Sequence, residues 1–205
     1  MTASVSWAAV AVLLVVGPAL PAAAQSDFHL ECAGPFGPDS SEAYLKQVFG
    51  DAHVRAETID GPEGTTLDAT LVFPDAPDRR LIVLWQDEAQ RARPAAIIVR
   101  EDSNWIGPGG VHLGAALSDV QAINDAPFSV LGFGWDYGGA ASFPSGTLSE
   151  IPGGCVLSLS FDLDWTKELG PEFDVIMGDQ QLSSSDDLLR AAEPTVSEIA
   201  VGYPQ

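Results

Sequence analysis

Cys155-Val156-Leu157-Ser158-Leu159-Ser160-Phe161-Asp162-Leu163-Asp164-Trp165 alternates apolar and polar residues from end to end. Successive side chains of an extended strand point to opposite faces. Cys155, Leu157, Leu159, Phe161, Leu163 and Trp165 therefore share one side, and Ser158, Ser160, Asp162 and Asp164 share the other. A strand of this kind lays one face on a core and leaves the other in water. The cysteine falls on the core face, where a disulfide would hold it.

Working outward, the neighbouring segments repeat the theme of short strands with occasional helical turns. Upstream, Leu117, Val120 and Ile123 fall on one face of a short helix that Asn124 would close in the left-handed region. Phe128 to Tyr137 reads as the next strand, with Leu131, Phe133, Trp135 and Tyr137 forming an aromatic ridge. Downstream, Ser183 to Ser185 cap a turn through Leu188-Leu189, and Ile199, Val201 and Tyr203 alternate as a closing strand.

The N-terminal part carries a matching set. Asp39 and Glu42 form a capping-box pattern ahead of the stripe Leu45, Val48, Phe49, and Gly50 stops that helix. Strands are expected at His53–Ile59 and Leu67–Phe73. Leu81–Trp85 and Ala95–Val99 are apolar on both faces and read as central strands. The fold class is therefore α+β, a mainly antiparallel sheet with two short helices on one side. One domain over 25–205 describes it. Two similar α+β halves, 39–102 and 107–205, are the alternative, because Leu45–Gly50 rhymes with Val120–Asp125 across the break at Gly107-Pro108-Gly109-Gly110.

Residues 1–24 set the address. An apolar run from Val10 to Val16, breakers at Gly17, Pro18 and Pro21, and the small residues Ala22-Ala23-Ala24 make a secretory signal peptide, too short to span a bilayer. A periplasmic or secreted protein without stable membrane insertion is expected. The formal charge of −20 excludes nucleic acid as a partner, since phosphate binding needs clustered Lys and Arg. It favours a basic protein or a cell-wall component instead. Cys32 and Cys155 are the two cysteines, and in an oxidising compartment they are expected to pair. Closing a loop of about 120 residues contributes about 4–5 kcal/mol in the chain-entropy account.

Ser103-Asn104-Trp105, Gly110-Val111-His112-Leu113-Gly114, Asn124-Asp125-Ala126-Pro127-Phe128 and Gly132-Phe133-Gly134-Trp135-Asp136-Tyr137-Gly138-Gly139 stand out as a set. The set resembles an uncharacterised family of exported bacterial proteins, a resemblance that implies a compartment and little chemistry. Leu113-Gly114 through Pro127-Phe128 also has the outline of small periplasmic α+β modules. The outer-membrane assembly lipoproteins and the β-lactamase-inhibitor proteins are similar in this respect. Ala115 and Ala116 depart from that outline, standing where Ser or Thr would cap the helix, at a cost of about 1 kcal/mol.

Chemistry-bearing residues are sparse. Trp105, His112, Trp135, Asp136 and Tyr137 are the candidate ligand-binding residues, with the glycines of 132–139 allowing close approach. No catalytic set, metal-ligand spacing or cofactor motif is legible: His29, His53 and His112 lie in no metal-binding spacing, and no G-x-S-x-G elbow occurs. Asp162 and Asp164 read as a solvated strand face. A non-catalytic exported binding module is the leading expectation. A small extracytoplasmic hydrolase using His112 or the Asp136 region is the alternative.

Overall fold

The computed structural model describes residues 28–61 and 64–203. Residues 1–24, expected to be a signal peptide, lie outside the described residues. Among the described residues nine strands make one antiparallel sheet: β1 (Val54–Asp60), β2 (Thr66–Val72), β3 (Leu81–Asp87), β4 (Ala92–Arg100), β5 (Ser129–Leu131), β6 (Ala140–Ser142), β7 (Val156–Asp162), β8 (Gln181–Ser183) and β9 (Thr195–Gly202). Their spatial order is β1-β2-β3-β4-β9-β7-β6-β5-β8. Three α-helices accompany them among the described residues: α1 (Glu42–Phe49), α2 (Leu117–Asn124) and the five-residue α3 (Asp187–Ala191). The α+β class and the antiparallel sheet are as the residue patterns indicate.

Hydrophobic burial explains the layering. Leu45 of α1, Leu117 and Val120 of α2 and Leu189 of α3 join Val83, Ile97, Leu159, Phe161, Ile199 and Val201 in one core, all at most 2 % exposed. The helices thus cover one face of the sheet. β3 and β4 are apolar on both faces because a second, smaller cluster of Ala69, Leu71 and Ile82, flanked by Leu84 and Ile98, occupies the other side. The closing strand β9 sits at the centre, with Ala200 opposite both Ile98 of β4 and Ser158 of β7. That insertion fuses the N- and C-terminal parts into one sheet, and the strand order does not show two repeats. Cys32 and Cys155 are disulfide-bonded across a separation of 123 residues, pinning the N-terminal lead-in beside the start of β7.

Four local readings are corrected. The cap of α1 is Ser41, whose Oγ accepts from the Tyr44 N–H at 3.3 Å, and not Asp39. The backbone of Ser40 to Glu42 is paired with that of Arg91 to Arg93, through Arg93 N–H to the Ser40 carbonyl (2.8 Å) and Glu42 N–H to the Arg91 carbonyl (2.9 Å). An extended chain there delays the helix. At the end of α2 the left-handed residue is Asp125 (φ 53°), one later than Asn124. Asn124 is fully buried: its amide donates to the Ala126 and Ser145 carbonyls at 2.9 and 3.0 Å and its carbonyl accepts from Leu148 N–H at 2.9 Å.

The other two corrections shape the candidate site. β5 stops at Leu131, so residues 132–139 form turns and not a strand. β7 stops at Asp162. Leu163 stays buried, but Asp164 accepts from the Thr166 backbone N–H (3.1 Å) and hydroxyl (2.6 Å), an aspartate turn that ends pairing. Asp162 and Asp164 therefore share no strand face, and Trp165 is turned out of the core, 57 % exposed.

Candidate functional site

Glycine makes the 132–139 loop possible. Gly134 and Gly139 adopt φ of 84° and 76°, a region closed to most side chains. A Cβ on Gly139 would fall on the Phe161 carbonyl oxygen, which the bond from Phe161 N–H to the Gly139 carbonyl (2.9 Å) brings close. The ends of the loop meet where Gly139 N–H donates to the Leu131 carbonyl at 2.9 Å. Its base is tied to the 176–180 segment by three bonds: Gly132 N–H to Gln180 O (2.8 Å), Phe133 N–H to Ile176 O (2.9 Å) and Gly178 N–H to Phe133 O (2.8 Å). Phe133 anchors it in the core at 2 % exposure.

What this rigid loop holds up is aromatic. The Trp135 indole donates to the Gly132 carbonyl at 2.7 Å and stays half-buried. The Tyr137 ring meets it edge-on, with centroids 5.5 Å apart, and is 58 % exposed. The ridge expected to share one strand face is split by the turns, Phe133 inward and Tyr137 outward. Asp136 is exposed and makes no hydrogen bond or ion pair among the described residues.

Trp165 completes the surface from the far end of β7. Its indole donates to Asp162 Oδ1 at 2.8 Å, and the Leu163 N–H donates to the same oxygen at 2.8 Å. Trp135 and Trp165 both line an open groove of about 300 Å³, together with Gly134, Gly138 and Asp162. Asp162 also borders a larger cleft of about 990 Å³, lined by Asp164, Lys167, Arg190 and Glu193. There Lys167 is paired with Glu193 at 3.2 Å. The Asp164 carboxyl is held below its usual range by the two Thr166 hydrogen bonds.

The electrostatics of this end are one-sided. Residues 107–205 hold 14 of the 29 acidic residues but only Lys167 and Arg190 of the nine basic ones. The other charge-bearing device, Glu42, belongs to α1 and to structure. Its carboxylate meets Lys46 Nζ at 2.6 Å, Thr70 Oγ1 at 2.8 Å and Arg91 Nε at 3.3 Å, and Trp85 Nε1 donates to the same Thr70 oxygen.

Two residues singled out from sequence lie elsewhere. Trp105 is a core residue, 4 % exposed among Phe28, Phe36 and Phe49, with its indole bonded to the Arg79 carbonyl. His112 is exposed, its Nδ1–H donates to the Leu113 carbonyl at 2.9 Å, and no carboxylate or hydroxyl touches it among the described residues. Trp135, Asp136 and Tyr137 do come together. Trp165 and Asp162 escaped the sequence reading as site residues, because the alternation of β7 runs on through Trp165 and the turn at Asp164-Trp165-Thr166 rests on side-chain hydrogen bonds that the pattern does not mark.

No family model, curated protein or solved structure matches this chain.

Proposed function

We propose that the protein is an exported, non-catalytic binding module for a protein or cell-envelope component, and that Trp135, Tyr137 and Trp165 form its contact surface. The observation that carries this reading is the pairing of exposure with rigidity. Tyr137 and Trp165 are each more than half exposed, yet the surrounding indoles are hydrogen-bonded in place and the loop beneath is closed at both ends. Aromatic anchors held in one conformation lose little entropy on binding and dominate interface energetics. A disulfide of this span fits an oxidising compartment, in line with export. The hydrolase reading gains no comparable support, because among the described residues His112 has neither a carboxylate to orient it nor a hydroxyl to activate.

The test uses purified cell-wall sacculi in a co-sedimentation assay and lysozyme, a basic wall-degrading enzyme, in a calorimetric titration. The mature protein is expected to bind one of the two, and the Trp135→Ala/Tyr137→Ala/Trp165→Ala variant to lose that binding. Equal binding by both proteins, or no binding to either probe, would contradict the reading.

A further inference from the structure

We propose that the groove between Trp135 and Trp165 receives an arginine or lysine side chain of a basic protein partner, with the Asp162 carboxylate as its counter-ion. This rests on the binding-module reading and names the chemistry of the partner. Two indoles are among the residues that line the groove, and indole is the aromatic surface on which a cation is held best. Gly134 and Gly138 line it as well, so part of its surface is backbone. Asp162 lines this space too, its carboxylate fixed by two donors on one oxygen, the Leu163 N–H and the Trp165 indole.

Charge selects the occupant. No Lys or Arg lines the groove, and the adjacent Lys167 is already matched to Glu193. Asp136, unpaired among the described residues, stands next to Trp135 on the same loop. A neutral sugar ring would use the indoles but gain nothing from this acidic surround, whereas a guanidinium uses both: it stacks on an aromatic face and pairs with a carboxylate. The protein already applies this chemistry inside its own fold, where the Arg79 guanidinium sits 3.9 Å from the Phe73 ring centre and 4.7 Å from that of Phe28. The strongly acidic field would bring such a partner in quickly at low salt.

The test follows the indole N–H resonances of Trp135 and Trp165 by heteronuclear NMR during titration with a hexa-arginine peptide, a hexa-citrulline peptide and a soluble peptidoglycan fragment. Citrulline keeps the shape of arginine without its charge. The arginine peptide is expected to shift both indoles saturably, and the citrulline peptide to leave them in place. Asp162→Asn should weaken the arginine peptide about fivefold. That substitution keeps an acceptor for both donors, so the melting temperature should hold. Equal shifts by the two peptides, or an unchanged affinity in Asp162→Asn, would overturn this proposal. Saturation of the same indoles by the peptidoglycan fragment alone would overturn it too, while leaving the binding surface standing. If no probe moves either indole, both this proposal and the surface fail.

Discussion

Asp162 and Trp165, three residues apart, are locked together, the indole Nε1–H donating to Oδ1 at 2.8 Å. The bond forms because β7 stops at Asp162 and the aspartate turn at Asp164 redirects the chain. A tryptophan that would have continued the core stripe is carried outward instead and held there. Its partner surface, on the 132–139 loop, is held by turns at Gly134 and Gly139, both at positive φ. One end of the sheet thereby acquires a fixed aromatic face in strongly acidic surroundings.

Stability should separate the exposed aromatics from the buried ones. Tyr137→Ala and Trp165→Ala are expected to change unfolding free energy by about 1 kcal/mol or less, as exposed positions do. Phe161→Ala, at 2 % exposure, should cost about 3–5 kcal/mol through the cavity it leaves. Urea denaturation of the three variants reads this directly. A loss of several kcal/mol in Tyr137→Ala would put that ring back in the core, as the alternating sequence had suggested.

Gly139→Ala should be among the most damaging substitutions in the loop. The new Cβ collides with the Phe161 carbonyl and the φ of 76° is unfavourable for alanine. The expected result is a melting temperature lowered by several degrees together with loss of the Trp135–Tyr137 near-ultraviolet dichroism. Gly110→Ala, where the space is open although φ is also positive, separates clash from backbone strain and should cost less.

Glu42 ties stability to acid pH. Burial alone would raise its pKa, but hydrogen bonds from Lys46 and Thr70 and the charges of Lys46 and Arg91 outweigh it and hold the carboxyl low. Its contribution is therefore complete above the unfolded carboxylate pKa and is lost as pH falls through the lower folded value. Glu42→Gln should cost about 1–3 kcal/mol at pH 7. It should also flatten the acid limb of the stability–pH curve, measured by urea titrations between pH 2 and 7.

Glu198 works in the opposite sense. Burial raises its carboxyl pKa, and the nearby Arg100 charge offsets only part of that. Stability is thus lost as pH rises from the unfolded carboxylate pKa through the raised folded value. Glu198→Gln is expected to raise the melting temperature at pH 7, with the gain shrinking as the solution is acidified. A destabilised variant at pH 7 would show that the attraction of the Arg100 charge outweighs burial.

The framework was legible because binary patterning was strong where strands and helices are regular. Leu157, Leu159 and Phe161 face the core as their alternation requires, and β3 and β4 are central as their two-sided apolarity requires. Alternation failed where local chemistry overrode it. Trp135 and Tyr137 continue the period of β5, yet Gly134 and Gly139 at positive φ bend the chain out of it. Trp165 continues the period of β7, yet Asp164 ends the strand. Trp105 belongs to the set of distinctive motifs from which the candidate residues are drawn; only packing against Phe28, Phe36 and Phe49 reveals it as core. The position of β9 between β4 and β7 involves partners about a hundred and about forty residues distant, which no local pattern encodes.

Hydroxyl-radical footprinting of the mature protein, alone and saturated with the hexa-arginine peptide, tests the central claim most directly. Free protein should be modified readily at Tyr137 and Trp165 and little at Trp85 and Trp105, which are 5 % and 4 % exposed. Bound peptide should protect Trp135, Tyr137 and Trp165 together while leaving the exposed Tyr44 unchanged. Slow modification of Tyr137 and Trp165 in the free protein, or protection of Tyr44 with no protection of these three, would contradict the account.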